Sequence, residues 1–470
     1  MLTRLLKRIT NLQADELPAA MLSWACFFFI FSGYYILRPL REEMGLAGGV
    51  GNLPWLFMAT LVAMLLATPL FGALVNRFPR RTFVSVTYRF FMVNLLIFFG
   101  LLHLLPAAAD VTIGRVFYVW VSVFNLFAVS LFWAFMADGF DYLRSKRVFG
   151  FIAMGGSLGA IVGAALTAAL VGSVGRLNLI LLAVVLLEIA VRCFHGLGRM
   201  FATIGIAAVK DEETLLPVNV DAATQTADPP LTSASATAPP ARASELQTGA
   251  GILGGIVATL RSPYLLAISA YLFLYSLSST FLYFEQANIV AAAVVDRTAR
   301  AALFARIDLW VNVLTLVTQI AFTGRIIPRL GVGLTLAMLP LLTAAGFASL
   351  ALAPVLTALV IFQVTRRATN YALVKPARET LYTIVPLPIK YKAKSFIDTF
   401  VYRGGDALGA GLFGLLTRAG WGLSAIAWLA VPCAVVWGAV GIFLGARQRR
   451  YAREQGFEKS VKKSIGHHAA

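Results

Sequence analysis

Long uncharged stretches alternate with short charged ones along most of this chain. Between Leu17 and Leu37 no side chain is ionisable, which is a run of 21 residues. About 20 predominantly apolar residues in a helix cross the hydrocarbon core of a bilayer. The pattern therefore predicts an all-α membrane protein with about twelve transmembrane helices, at 18–38, 54–75, 82–105, 114–137, 148–172, 177–197, 259–286, 303–323, 332–352, 354–384, 394–418 and 421–446.

Composition and charge agree with a membrane protein. Of the 470 residues, 59% are hydrophobic and 13% are charged, which is outside the range of soluble proteins. The net charge of +18 collects in alternate short loops, such as those at 77–81, 144–147 and 390–394. Because basic loops stay in the cytoplasm during insertion, both termini are predicted to be cytoplasmic. The charge therefore indicates membrane topology, and we expect the lipid bilayer but no nucleic acid as a partner.

A segment of different composition separates two groups of six predicted spans. Residues 210–248 lack periodic apolar positions and are acidic at first and then rich in Pro, Ala, Ser and Thr. This predicts a cytoplasmic linker at 201–255 that is largely disordered. The other predicted units are a cytoplasmic lead (1–17), two six-helix bundles (18–200 and 256–446) and a basic cytoplasmic tail (447–470). This arrangement resembles the major facilitator superfamily, whose halves are parallel repeats.

Glycines four residues apart occur at corresponding places in the two halves. They are Gly155, Gly159 and Gly163 in the fifth predicted span, and Gly405 and Gly409 in the eleventh. Small residues at this spacing let helix backbones approach closely. We expect tight helix packing there, and a role in motion between the halves stays open.

Two predicted spans carry charged residues that are costly in a bilayer unless they face a cavity or a ligand. The first has Tyr34, Arg38 and Arg41 on one helical face, and the tenth has a stripe of basic and tyrosine residues. Because guanidinium groups match phosphate and carboxylate, these residues predict an anion-binding cavity. The alternative is that they reach the headgroups or form structural ion pairs. The substrate-binding candidates are Tyr34, Arg38, Arg41, Arg367, Tyr371, Lys375, Arg378, Glu379 and Tyr382.

A second group of ionisable residues is a candidate for coupling or gating. Asp398 and Arg403 lie in one apolar span and are predicted to share a buried network, either as a structural pair or as a switch. The full group consists of Glu285, Lys394, Asp398, Arg403 and Asp406.

Other classes of chemistry find no support in the sequence. The cysteines lie in apolar segments, and no His or Cys cluster has metal-ligand spacing, so we expect neither a metal nor a cofactor. A phosphate-binding Walker loop needs a Gly-Lys dipeptide, which the chain lacks. No nucleophile–base arrangement stands out, and the protein is not expected to be an enzyme.

Three segments resemble the ATP/ADP translocases of plastids and intracellular bacteria. They are 35–42 (Tyr-Ile-Leu-Arg-Pro-Leu-Arg-Glu), 371–382 (Tyr-Ala-Leu-Val-Lys-Pro-Ala-Arg-Glu-Thr-Leu-Tyr) and 392–405 (Lys-Ala-Lys-Ser-Phe-Ile-Asp, then Arg-Gly-Gly). Arg41 and Arg378 stand where that family has Lys, and Pro39 and Lys375 replace acids.

The resemblance implies a secondary active transporter of an organic anion, a nucleotide or related phosphate compound, working by exchange or proton coupling. It also implies a multi-pass protein of the bacterial inner membrane, which we expect to be a monomer. Two alternatives stay open at this point. One is a proton-coupled facilitator for another small solute or a lysolipid, and the other is a membrane receptor or scaffold that transports nothing.

Overall fold

The structure is a computed structural model that describes residues 16–77, 80–140, 142–214, 256–257, 259–385 and 387–454. Within these ranges the chain forms helices that we number α1 to α12. The first nine are α1 (Leu17–Ala47), α2 (Leu53–Arg77), α3 (Arg80–Leu104), α4 (Asp110–Gly139), α5 (Tyr142–Val174), α6 (Leu179–Thr214), α7 (Pro263–Ala293), α8 (Arg297–Thr318) and α9 (Gly324–Leu352).

The next two helices are each interrupted by a π-helical turn. Helix α10 consists of Leu356–Thr369, the π turn Asn370–Val374 and Lys375–Thr380. Helix α11 consists of Leu387–Phe396, the π turn Ile397–Val401 and Tyr402–Arg418. The last helix, α12, is Leu423–Glu454. A π turn adds a residue to a helical turn, so it rotates the faces that follow it.

The predicted fold class is confirmed. Among the described residues, 10 helices are long and apolar enough to cross a membrane. The other two, α10 and α11, are those that carry the π turns and most of the candidate charged residues. Large apolar side chains cover the outer faces of the spans, for example Leu341 at 61% exposure and Ile361 at 60%. Exposed apolar surface of this extent fits a lipid environment.

The helices form two halves, α1–α6 and α7–α12, that run in the same direction. Because each half has an even number of spans, its first helix begins and its last helix ends on the same side, which we call the linker side. The predicted lead, linker and tail fall mostly on residues 1–15, 215–255 and 455–470, which lie outside the described residues.

The glycines of α5 let its backbone touch that of α1. A methyl group added at Gly159 would lie 2.2 Å from the carbonyl oxygen of Phe28, and one at Gly163 would lie 2.4 Å from that of Ser32. Both distances are too short for a side chain. The close packing predicted for this spacing is therefore confirmed, and it joins two helices of the same half.

The second half repeats this contact between α11 and α7. A methyl group at Gly405 would lie 2.8 Å from Cβ of Ser276, and one at Gly409 would lie 3.0 Å from Cβ of Thr280. Helices α11 and α7 hold the places in their half that α5 and α1 hold in the first. The contact supports the internal repeat seen in the sequence.

Four charged residues join the halves on the side away from the linker, and we call them the opposite-side cluster. Glu43 of α1 is fully buried and accepts hydrogen bonds from Arg297 of α8 and, at 3.4 Å, from Arg176. Asp110 of α4 lies 3.2 Å from Arg297 and 3.5 Å from Arg176. Two carboxylates balance two guanidinium groups, so the cluster holds the halves together on this side.

The first prediction tests the α1–α5 contact. Gly159→Ala should lower the apparent melting temperature, because the added methyl overlaps the Phe28 carbonyl and overpacking costs about 1–3 kcal/mol. Gly150→Ala on the same helix is the control, since nothing lies within 4 Å of its new methyl. Equal melting temperatures for the two variants in detergent would contradict the close contact.

The second prediction concerns the opposite-side cluster. Glu43→Gln removes a buried carboxylate between two arginines and should destabilise the protein by about 3–5 kcal/mol, as expected when a buried pair loses one member. Glu188→Gln is the matched control, because its partner Arg192 is 77% exposed and such pairs contribute about 0–1 kcal/mol. Thermal unfolding followed by tryptophan fluorescence compares the two, and a larger loss in Glu188→Gln would refute the assignment.

Candidate functional site

A polar cavity of about 240 Å³ lies between the two halves, within the spans. Arg38, Arg41, Glu42 and Phe57 come from the first half, and all other lining residues come from the second. A smaller cavity of about 160 Å³ adjoins it. Both cavities are lined by Arg41, Phe57 and Asp406, so these side chains separate two compartments of one polar region.

One carboxylate holds an arginine from each half. Arg38 of α1 lies 2.5 Å from Oδ1 of Asp308 on α8, and Arg367 of α10 lies 2.8 Å from the same atom. The Asp308 side chain is only 4% exposed. Nη2 of Arg367 is buried and has no hydrogen-bond partner among the described residues. Two guanidinium groups on one carboxylate leave a positive charge that no described group balances.

A third arginine of the cavity wall is bound by hydroxyl groups alone. Arg366 is 4% exposed and donates to Ser278 at 3.1 Å, Ser279 at 2.9 Å and Thr343 at 3.1 Å. Its guanidinium also lies 5.5 Å from the ring centre of Tyr275. No carboxylate of the described part of the chain lies within salt-bridge distance of it. Hydroxyls satisfy its donors but leave its charge unbalanced.

A chain of polar contacts around Arg41 also crosses between the halves. Arg41 lies 2.9 Å from Glu42, and its guanidinium is 4.1 Å from the ring centre of Tyr118. Glu42 accepts a hydrogen bond of 2.7 Å from the hydroxyl of Tyr283, which belongs to α7. The Tyr118 and Tyr283 hydroxyls are 3.0 Å apart. The charge of Arg41 is therefore balanced within the wall.

Asp406 is the carboxylate that pairs with Arg403. It lies 3.4 Å from Arg403 and accepts hydrogen bonds from Ser276 at 2.5 Å and Thr280 at 3.2 Å. In this structure Arg403 therefore has a partner other than the predicted Asp398. Asp398 belongs to the π turn Ile397–Val401 and is exposed, and its nearest charged neighbours are Arg378 and Lys394.

The structure divides the predicted stripe of α10 into two groups. Arg367 and Tyr371 line the larger cavity, and Tyr34 lines the smaller one. Lys375 and Arg378, which follow the π turn Asn370–Val374, line neither cavity. Towards the linker side, Glu379 forms an ion pair with Lys394, whose ammonium lies 5.4 Å from the ring centre of Tyr382.

Glu285 of α7 lies outside both cavities. It is fully buried, and neither carboxylate oxygen has a hydrogen-bond partner among the described residues. Its neighbours along the helix belong to an apolar cluster that includes Phe284, Ile289 and Val290. Its predicted part in coupling or gating stays a prediction.

Asp308, Arg366 and Tyr283 are among the cavity-wall residues that were not predicted from the sequence. A signal existed for Asp308 and Arg366, because both are ionisable residues inside predicted apolar spans. Tyr283 carried no such signal, since tyrosines are common in membrane helices. In the described residues no group of three or more His, Cys, Asp and Glu side chains could hold a metal ion.

Comparisons with known proteins bear on the fold. No family model and no curated protein sequence matches the chain. Among solved structures, a POT family transporter in complex with a thioalcohol-conjugated peptide is similar at a TM-score of 0.59 and 11% identity, over 92% of this chain and 96% of that one. A peptide transporter POT is similar at 0.58 and 13%, over 92% and 95%.

A third structure extends the same result. A bacterial homolog of the human lysosomal transporter Spinster, in an inward-facing and unoccupied conformation, is similar at a TM-score of 0.52 and 13% identity, over 94% of this chain and 98% of that one. At these identities the likeness concerns the fold. The chain therefore shares the all-helical fold of these solved transporters, which agrees with the predicted fold class.

The third prediction tests the pairing of Arg403. Asp406→Asn should lower the melting temperature, because it leaves Arg403 unpaired and weakens two hydroxyl contacts, a loss of about 1–3 kcal/mol. Adding Arg403→Gln to Asp406→Asn should recover part of the loss, since no charge is then left alone. Asp398→Asn is the comparison: it leaves the Arg403–Asp406 pair intact and, because Asp398 is exposed, should cost less stability than Asp406→Asn. If Asp398→Asn is destabilised and Asp406→Asn is not, Arg403 pairs with Asp398 as predicted from the sequence, and its assignment to Asp406 is refuted.

Proposed function

We propose that the protein is a secondary transporter that moves an organic anion across its membrane by alternating access. The observation that carries the proposal is the pair of arginines, one from each half, on a single buried carboxylate in a cavity between the halves. Such a position suits a substrate that both halves must hold while they rock. The fold shared with solved transporters supports the same reading.

The polar contacts between the halves fit a rocking motion. In this structure the opposite-side cluster joins the halves through Arg297 and Glu43, so the substrate is expected to enter from the linker side. Rocking towards the other state separates Arg297 from Glu43 and Arg38 from Asp308. An anion bound to Arg38 replaces the carboxylate that this arginine loses, and thereby lowers the energy of the loaded transition.

The chemistry of the cavity favours an anion over a neutral solute. Four arginines line the larger cavity, namely Arg38, Arg41, Arg366 and Arg367. Arginine offers paired donors to phosphate and carboxylate oxygens. Rings of Tyr275, Tyr371 and Tyr402 lie in the same wall and can pack against an organic group.

The substrate proposed in more detail is a nucleotide or a related phosphate compound. This part rests on the resemblance of segments 35–42, 371–382 and 392–405 to the ATP/ADP translocases. Of the residues that carry the resemblance, Arg38 and Arg41 line the larger cavity, whereas Arg378 and Lys394 lie towards the linker side. The phosphate-binding part is therefore assigned to α1 and to Arg366 and Arg367.

The fourth prediction is that the purified protein in proteoliposomes takes up at least one labelled organic anion from a panel of AMP, ADP, glycerol 3-phosphate and succinate. Arg38→Gln and Arg367→Gln should each lower affinity about tenfold to a hundredfold, because each removes a charge-assisted contact of about 1.5–3 kcal/mol. Arg192→Gln, an exposed arginine of α6, is the matched control and should retain uptake.

Three outcomes would overturn this proposal. If the protein takes up dialanine but no anion, it is a peptide transporter and the proposal of anion transport is wrong. Movement of a fluorescent lysolipid but of no anion would favour a lipid facilitator. Normal anion uptake by both Arg38→Gln and Arg367→Gln would place the substrate elsewhere. Uptake measured with and without anion inside the vesicles separates exchange from one-way transport.

A further inference from the structure

The charges that line the larger cavity, counted together with Arg403 of the adjoining smaller cavity, do not cancel. Arg41 is balanced by Glu42 at 2.9 Å, and Asp406 is balanced by Arg403 at 3.4 Å. Asp308 balances one of its two arginines, Arg38 and Arg367. Arg366 has no carboxylate partner in the described part of the chain. With these side chains in their ordinary ionised forms, two positive charges are left over.

These two surplus charges occupy different places in the wall. One is shared by Arg38 and Arg367 around Asp308, where Nη2 of Arg367 is buried without a hydrogen-bond partner among the described residues. The other is centred on Arg366, whose hydrogen bonds run to hydroxyls of α7 and α9. Uncompensated charge is costly in a membrane interior, where the dielectric constant is low. A ligand with two negative charges removes the cost at both centres.

We infer that the substrate is a small organic anion with two negative charges, of the phosphomonoester or dicarboxylate type. The inference rests on the proposed function and narrows its substrate class. A dianion leaves the occupied cavity neutral. A nucleoside triphosphate, with about four negative charges, leaves an excess of negative charge beside Glu42, Asp308 and Asp406. A zwitterionic peptide leaves both positive centres unbalanced, although peptide transporters share the fold.

This assignment gives Arg366 and Asp308 opposite effects on selectivity. Removing Arg366 leaves one surplus positive charge, which suits a singly charged anion. Removing the charge of Asp308 raises the surplus to three, which suits a triply charged anion. Both are specificity-determining residues in this scheme. A merely structural role would weaken the binding of all anions alike and leave their order unchanged.

The experiment measures binding of a charge series to the full-length protein by isothermal titration calorimetry in detergent at neutral pH. The carboxylate series is monomethyl succinate, succinate and tricarballylate, which carry one, two and three charges. The phosphate series is dimethyl phosphate, glycerol 3-phosphate, AMP and ATP. Comparing the two series distinguishes a dicarboxylate from a phosphomonoester, and dialanine serves as the zwitterion.

In the wild type, the doubly charged anions of one series (succinate, or glycerol 3-phosphate and AMP) should bind at least about tenfold more tightly than the other anions of that series. A charge-assisted contact corresponds to such a factor in affinity. Arg366→Gln should move the preference to the singly charged member, and Asp308→Asn should move it towards the members with more than two charges, tricarballylate or ATP. Arg366→Lys keeps the charge and should keep the dianion preference. Arg192→Gln is the control and should match the wild type.

The ratio of the dissociation constants of two anions does not depend on the fraction of active protein. Partial unfolding of a variant therefore leaves this ratio unchanged. Tighter binding of ATP than of AMP by the wild type, or an unchanged order in both Arg366→Gln and Asp308→Asn, would overturn the dianion assignment alone. Failure of every anion to bind the wild type would overturn the proposed function as well. Arg366→Lys also guards against misfolding, because loss of the dianion preference there would contradict a charge-based role.

Discussion

The carboxylate of Asp308 is the group on which the polar interior depends. In the low dielectric of a membrane protein, Arg38 and Arg367 repel each other unless a negative charge lies between them. Asp308 supplies that charge at 2.5 and 2.8 Å, and it does so across the interface between the halves. Asp308 thereby stabilises both guanidinium groups within the membrane spans. Because it balances only one of their two positive charges, the other remains for an anionic ligand.

Around this centre the two halves are built as separate packed units. The α1–α5 and α7–α11 contacts are made at glycines, backbone against backbone or against small side chains, and leave no room for adjustment. The polar contacts between the halves differ, because Arg297–Glu43 and Tyr283–Glu42 are made by the ends of side chains. Such contacts can break and re-form with other partners without a change in the backbone. Rigid packing inside each half and exchangeable contacts between them together favour motion of one half against the other.

The sequence predicted what depends on local pattern and missed what depends on partners. Apolar runs located the spans, and the face of Arg38 and Arg41 was read correctly because α1 keeps its regular turn through both residues. The predicted stripe of α10 assumed a regular helix, but the π turn Asn370–Val374 interrupts it, and a π turn has no distinctive composition from which it could be predicted. The predicted role of Lys375 and Arg378 in substrate binding stays a prediction. Asp308 was visible as a lone acid, but its importance comes from Arg38, 270 positions away in the chain.

The likeness to peptide transporters and the resemblance to nucleotide translocases concern different features of the chain. A bilayer requires apolar outer faces and internally bonded helices, and many sequences satisfy both, so a fold persists at 11% identity. What a cavity binds is decided by a few side chains whose charges must balance with the ligand in place. In the proposed assignment those side chains are Asp308, which lowers the positive surplus, and Arg366, which raises it. Selectivity in such a fold can therefore change through single charges while the helices stay where they are.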